Sequence, residues 1–100
     1  MKTRDPKYDS IVASQSRALI ACELAQALRH ARYEYLAGDA LSNCTIASHM
    51  IESLPHGFSP DELNRARILV HHVRRAALYL ERFWERQRAE REEALSSAPW

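Results

Sequence analysis

The chain has 100 residues, with 14 Lys and Arg against 13 Asp and Glu and a formal net charge of +1. That length suits a single domain over 1–100, and the even balance excludes a bulk electrostatic pull towards nucleic acid or an anionic membrane. No apolar run approaches the roughly 20 residues of a membrane span.

Only two glycines occur, Gly38 and Gly57, and both fall where a periodic apolar pattern stops. Read as helix stops or turns, they divide the chain into three helices. Alternating β-branched runs that would argue for strands are missing from the sequence. The expected fold class is therefore all-α: two long helices with a short one between them. Short connections make sequential helices antiparallel neighbours. A chain this short has a limited core, and homodimerisation is expected to complete the bundle.

Residues 1–5 and 96–100 are expected to be frayed tails. The stretch Met1 to Ser10 is polar and charged, with no apolar signal segment, which fits a cytoplasmic protein. Asp5-Pro6 or Asp9-Ser10 offers a start for the first helix, which would run to about Ala37. Its main apolar stripe is Ile20, Leu24, Ala27 or Leu28, Ala31 and Tyr35. Beside it lies a small-residue strip, Ala18, Ala21, Cys22 and Ala25. Small side chains let a second axis approach closely, so this strip is the expected packing surface for the last helix. Ile11 and Val12 either continue the helix or project as a separate contact arm.

Gly38 is the expected C-terminal cap, and Asp39 or Ser42 the next N-cap. The second helix should be short, about 12 to 14 residues, ending near Ser53. Leu41, Cys44, Ala47, Ile51 and Leu54 form its face, widened by Ile46 and Met50. Cys22 and Cys44 have no paired spacing and are expected to be buried, reduced thiols, again fitting a cytoplasm. Leu54-Pro55-His56-Gly57 breaks the helix.

Ser59-Pro60-Asp61-Glu62 carries every part of a helix start. Ser59 can accept from a first-turn amide, Pro60 needs no amide proton there, and Glu62 can reach back to close a capping box. Phe58 and Leu63 are spaced as a hydrophobic staple. About 36 residues without Gly or Pro follow, a rod of about 55 Å. Leu63, Ala66, Val70, Val73, Ala77, Leu80 and Trp84 occupy the a and d positions of a heptad. Leu69, Ala76 and Phe83 flank them at g, and Ile68, His72 and Tyr79 widen the apolar arc. One stripe would suffice for an ordinary surface helix. The arc therefore points to packing on the hairpin with one face and on another subunit with the next. Leu69, Val70, Val73, Ala76, Ala77, Tyr79, Leu80, Phe83 and Trp84 are the candidate dimer or partner interface. After Trp84 the helix is nearly all charged and is expected to be solvated.

Chemistry is harder to find. His71 and His72 are adjacent and diverge by about 100° on a helix. His30 with Glu34, and His49 with Glu52, are one turn apart and read as surface pairs rather than metal ligands. No Glu-x-x-His motif occurs, so a di-iron bundle pattern is excluded. Two glycines cannot make a phosphate loop, neither Cys has a His one turn on, and no nucleophile elbow is present. No enzymatic activity, metal or cofactor is expected.

Nucleic acid is the alternative. Arg67, Arg74, Arg75, Arg82 and Arg88 form a loose basic stripe on the last helix that could neutralise phosphates. Interleaved Glu81, Glu85, Glu90, Glu92 and Glu93 argue instead for a solvated, salt-bridged face. The long apolar rod is also unlike a short polar recognition helix. Arginine outnumbers lysine twelve to two, a bias associated with GC-rich bacterial genomes. In size and class, a small helical protein without a catalytic kit resembles antiactivators that sequester a transcription factor. That resemblance implies a regulatory protein that binds another protein and competes for a surface its target needs. A structural or chaperone subunit is a third reading. The Pro99-Trp100 end is a further candidate contact.

Overall fold

The computed structural model describes residues 6–53 and 58–97. They form α1 (Pro6–Ala31), a 3-10 turn (Glu34–Leu36), α2 (Ala37–Ser53) and α3 (Pro60–Ser96). Among the described residues there is no strand, so the chain is all-helical with three helices. The expected turn at Leu54–Gly57, the first five residues and the Pro99-Trp100 end lie outside the described residues. The particle is a rod of 78 × 19 × 18 Å.

The start of α3 is as the sequence dictates. The Glu62 amide donates to Ser59 Oγ at 3.1 Å, with Pro60 in the first turn. Only half of the capping box forms. The Glu62 carboxylate turns away to Arg17, which donates to it from Nε at 2.9 Å and from Nη2 at 3.2 Å. A charged donor from another helix outcompetes the neutral Ser59 amide. At the other end α3 continues through Ser96, and the Ser97 amide donates to the Glu93 carbonyl at 3.0 Å. The helix thus outlasts the expected fraying point.

The end of α1 corrects the sequence reading. It stops at Ala31 rather than near Ala37. The Arg32 and Tyr33 amides tighten onto the carbonyls of Arg29 and His30 at 3.3 and 3.1 Å. Trp84 Nε1 donates to the Ala31 carbonyl at 3.0 Å. A terminal carbonyl without an intrahelical partner is thereby satisfied by a side chain 53 residues away. Tyr35 leaves the expected apolar stripe for solvent, at 92% exposure. Gly38 is no cap: it lies in the first turn of α2, which starts at Ala37 and runs 17 residues, longer than expected.

The core joins all three helices. Ile20, Leu24, Ala27 and Ala31 of α1 meet Ala40, Cys44, Ala47 and Ile51 of α2 and Val70, Val73 and Ala77 of α3. Leu41, Met50, Leu63, Ala66 and Leu80 pack against its edge. Alanine dominates, and the largest fully buried side chain is Cys44. Small buried residues let the axes approach closely. The close approach uses Ala27 and Ala31, not the strip Ala18–Ala21–Cys22–Ala25, which is exposed. Turning the other stripe inward buries Ile20 and Leu24, worth about 1.5–3 kcal/mol each, more than the alanines would return. Cys22 is consequently exposed, whereas burial pushes the Cys44 thiol above its usual range, with Arg74 partly opposing.

Candidate interaction groove

α1 and α3 do not close on each other along their length. Between them lies a cleft of about 230 Å³, lined by Ile20, Ala21, Leu24, Phe58, Ala66 and Leu69. Its polar rim is Arg17, Glu62 and Arg65. The Arg17 guanidinium spans the cleft mouth. It pairs with Glu62 across the helices at 2.8 Å and lies 4.9 Å from the centre of the Phe58 ring. The ring face attracts the cation, so residues on both sides of the α3 start are fastened to α1.

The candidate interface residues divide into two groups. Val70, Val73 and Ala77 are buried in the chain's own core, and Leu80 packs against it. Trp84 is half-buried by its bond to Ala31, and Phe83 meets it edge-on with ring centres 5.1 Å apart. Leu69, Ala76 and Tyr79 remain exposed, Leu69 at 52% and Tyr79 at 65%. Leu69, Ala76 and Phe83 recur every seven residues and share the face of α3 that borders the groove. His72, which widens the apolar arc, is exposed.

The basic stripe divides too. Arg67 donates to Glu52 at 2.7 and 3.1 Å. Arg88 pairs with Glu34 at 3.3 Å, and Arg91 binds the same carboxylate. Arg74 is half-buried, close enough to Cys44 to act on its thiol. Arg75 and Arg82 line an open hollow of about 620 Å³ on α3 with Leu78, Tyr79, Glu85 and Arg86. The arginine hydrogen bonds hold the Glu34 and Glu52 carboxyls below the usual carboxylate range, led by Arg91 and Arg67 respectively.

Neither expected histidine pair forms. Glu34 and Glu52 go to α3 instead, because a bidentate or doubled arginine partner is stronger than an imidazole one turn away. His30 Nδ1 lies 2.8 Å from Asn43 Oδ1, and Asn43 Nδ2 donates to Glu23 at 2.8 Å. Asn43 is buried, so these bonds satisfy a side chain that would otherwise destabilise the α1–α2 contact. Sequence spacing missed this Glu23–Asn43–His30 chain, since its members lie on different helices. The one available signal was an Asn beside Cys44 in an apolar face.

Among the described residues, no cluster of three His, Cys, Asp or Glu side chains could hold a metal ion. No described helix is long and apolar enough to cross a membrane. Comparison with protein-family models, with curated proteins and with solved structures finds no match. The groove is therefore read from its own chemistry.

Proposed function

We propose that this chain is a small regulatory module that binds another protein through the apolar surface along α1 and α3. One observation carries the reading: beside a core that buries Ile20, Leu24, Ile51, Val70 and Val73, a second set of large apolar side chains stays at the surface. Alanines and Cys44 fill the fully buried positions, while Leu19, Leu28, Ile68, Leu69 and Tyr79 are each about half exposed or more. Single exposed apolar residues need no explanation, but a groove with an apolar row beside it marks an interaction site. The mode of action is competition, as in antiactivators. The bound surface of the target, for instance a transcription factor, is no longer available for its own dimerisation or DNA contact.

The same reading has the helices as antiparallel neighbours in a homodimer working in the cytoplasm. The exposed Ile11 of α1, away from that surface in sequence, is the contact offered to the second copy. Affinity capture from nuclease-treated native lysate at low and high salt tests the proposal. One protein retained at both salts is the expected result, because apolar contacts are insensitive to salt. Recovery of nothing but the chain itself would leave a structural oligomer and remove the regulatory reading.

A second reading has one observation behind it. Arg75, Arg82 and Arg86 surround the exposed Tyr79 and make no ion pair among the described residues. This patch suits phosphates. Nucleic acid held there would be released steeply as salt rises.

A further inference from the structure

The arginines of α3 divide by what holds them. Arg67 is bound to Glu52, and Arg88 and Arg91 to Glu34. Arg75, Arg82 and Arg86 are exposed and make no ion pair among the described residues. At about 100° per residue they share, with Tyr79, an arc of about 60° on the outer side of the helix. These four line the hollow of about 620 Å³ together with Leu78 and Glu85. Its charged lining is thus three arginines against one carboxylate. Acidic neighbours along the helix are sparse. α3 has no Asp or Glu from Leu63 to Leu80, and Glu90 is the first beyond Arg86. Glu81 is turned inward, with one carboxylate oxygen buried. Tyr79 stands inside this track, 65% exposed, with Arg75 one turn before it and Arg82 one turn after. Its ring meets no other aromatic ring among the described residues.

We infer that this outer face of α3 binds single-stranded nucleic acid, with a base stacked on Tyr79 and the flanking phosphates held by Arg75, Arg82 and Arg86. This rests on the second reading above and specifies the form of the nucleic acid. A planar guanidinium donates to a phosphate through two N–H groups at once. Every base has a face that stacks on an open aromatic ring, so such a site tolerates any sequence. The helix carries ring and forks on one rigid element, about 17 Å from Arg75 to Arg86. A track this short holds only a few nucleotides. At a net charge of +1 the rest of the chain adds no long-range pull, so binding is strongest at low salt.

A duplex uses this face less well, because its bases are stacked on one another and leave Tyr79 without a role. An acidic peptide would meet the same arginines, but the hollow offers it only Leu78 and Tyr79 as apolar contacts. The apolar row Leu69, Ala76 and Phe83 lies about a quarter turn further round the helix. The groove and the outer face are therefore separate surfaces.

The test uses the full chain and a fluorescein-labelled thymidine oligonucleotide of about 12 nucleotides, read by anisotropy across a salt series. The expected result is binding at low salt that weakens with a log–log slope of about −2, the value for three phosphate contacts on a single strand. Tyr79→Ala should weaken binding about tenfold at an unchanged slope, and Tyr79→Phe should keep it. Arg82→Gln should make the slope shallower by about 0.7. Leu69→Asn, beside the groove, should change neither affinity nor slope. All these positions are exposed, and unchanged far-UV circular dichroism spectra show that each variant is folded. Duplex DNA bound as tightly as the single strand, with no effect of Tyr79→Ala, would overturn the stacking inference and leave a phosphate patch. Equal affinity for a glutamate peptide of the same charge would overturn it in favour of general anion binding. Binding of no probe at low salt would overturn both this inference and the second reading, and would leave the groove as a protein site.

Discussion

Two rows of α3, one residue out of step, end in opposite environments. Val70, Val73 and Ala77 are buried, Ala77 completely. Leu69 and Ala76 are exposed and Phe83 is half-covered. Both rows are apolar and both keep the same seven-residue spacing. What separates them is how closely the other helices approach. Ala77 faces an alanine-lined interior where axes come together, whereas the neighbouring row borders the gap between α1 and α3. An apolar helical row thus says that a surface wants to be covered; it does not say by which chain.

Substitutions at adjacent residues should break this comparison most sharply. Ala77→Arg buries an unpaired charge and should cost more than about 3 kcal/mol, enough to unfold a small domain. Ala76→Arg should change stability by less than about 0.5 kcal/mol. Urea unfolding followed by circular dichroism reads both. Equal losses would mean that the outer row is also part of the core.

Trp84 joins the two rows, since its indole caps α1 while its ring lies against Phe83. Trp84→Phe keeps the ring contact and removes the donor to Ala31, with an expected loss of about 1–2 kcal/mol. A stability unchanged in thermal melts would mean that solvent satisfies the Ala31 carbonyl equally well. Ser59→Ala should cost about 1 kcal/mol through the lost cap; no loss would place the effective start of α3 elsewhere.

Gly38→Ala should act in the opposite direction. An added methyl there meets nothing within 4 Å, and the position is helical, so about 0.4–1 kcal/mol of stabilisation is expected from a less flexible unfolded chain. A destabilised variant would show that the first turn of α2 needs a glycine after all.

Acid should produce a loosening at the periphery. The folded carboxyls of Glu34 and Glu52 titrate below their unfolded range because arginines donate to them. Their contribution is present above the unfolded carboxylate range and is lost as pH falls through the lowered folded values. Stability measured from neutral pH downward should decline there, and Glu34→Gln should flatten the decline. An unchanged slope would assign the acid sensitivity to other carboxylates.

The sequence was informative wherever a feature is local. Ser59 and Pro60 set the start of α3, and the Leu63–Trp84 periodicity gave the inner row. It failed where the deciding partner is distant. The end of α1 depends on Trp84, the fate of Glu34 on Arg88 and Arg91, and that of Glu62 on Arg17. Glycine was misleading for the same reason: Gly38 looked like a stop, but the chain turns six residues earlier, where tertiary contacts replace the lost helical bonds. The apolar arc of α3 was legible. Its division into a core row and a groove row was not, because both satisfy the same heptad.

The most direct measurement is capture from native lysate with wild-type protein and the Ala76→Arg variant side by side, after circular dichroism has shown the two to be equally folded. The expected result is a protein partner retained by the wild type at low and high salt and lost by the variant. Retention of that partner by Ala76→Arg at undiminished level would contradict the claim that the outer row of α3 is the binding surface.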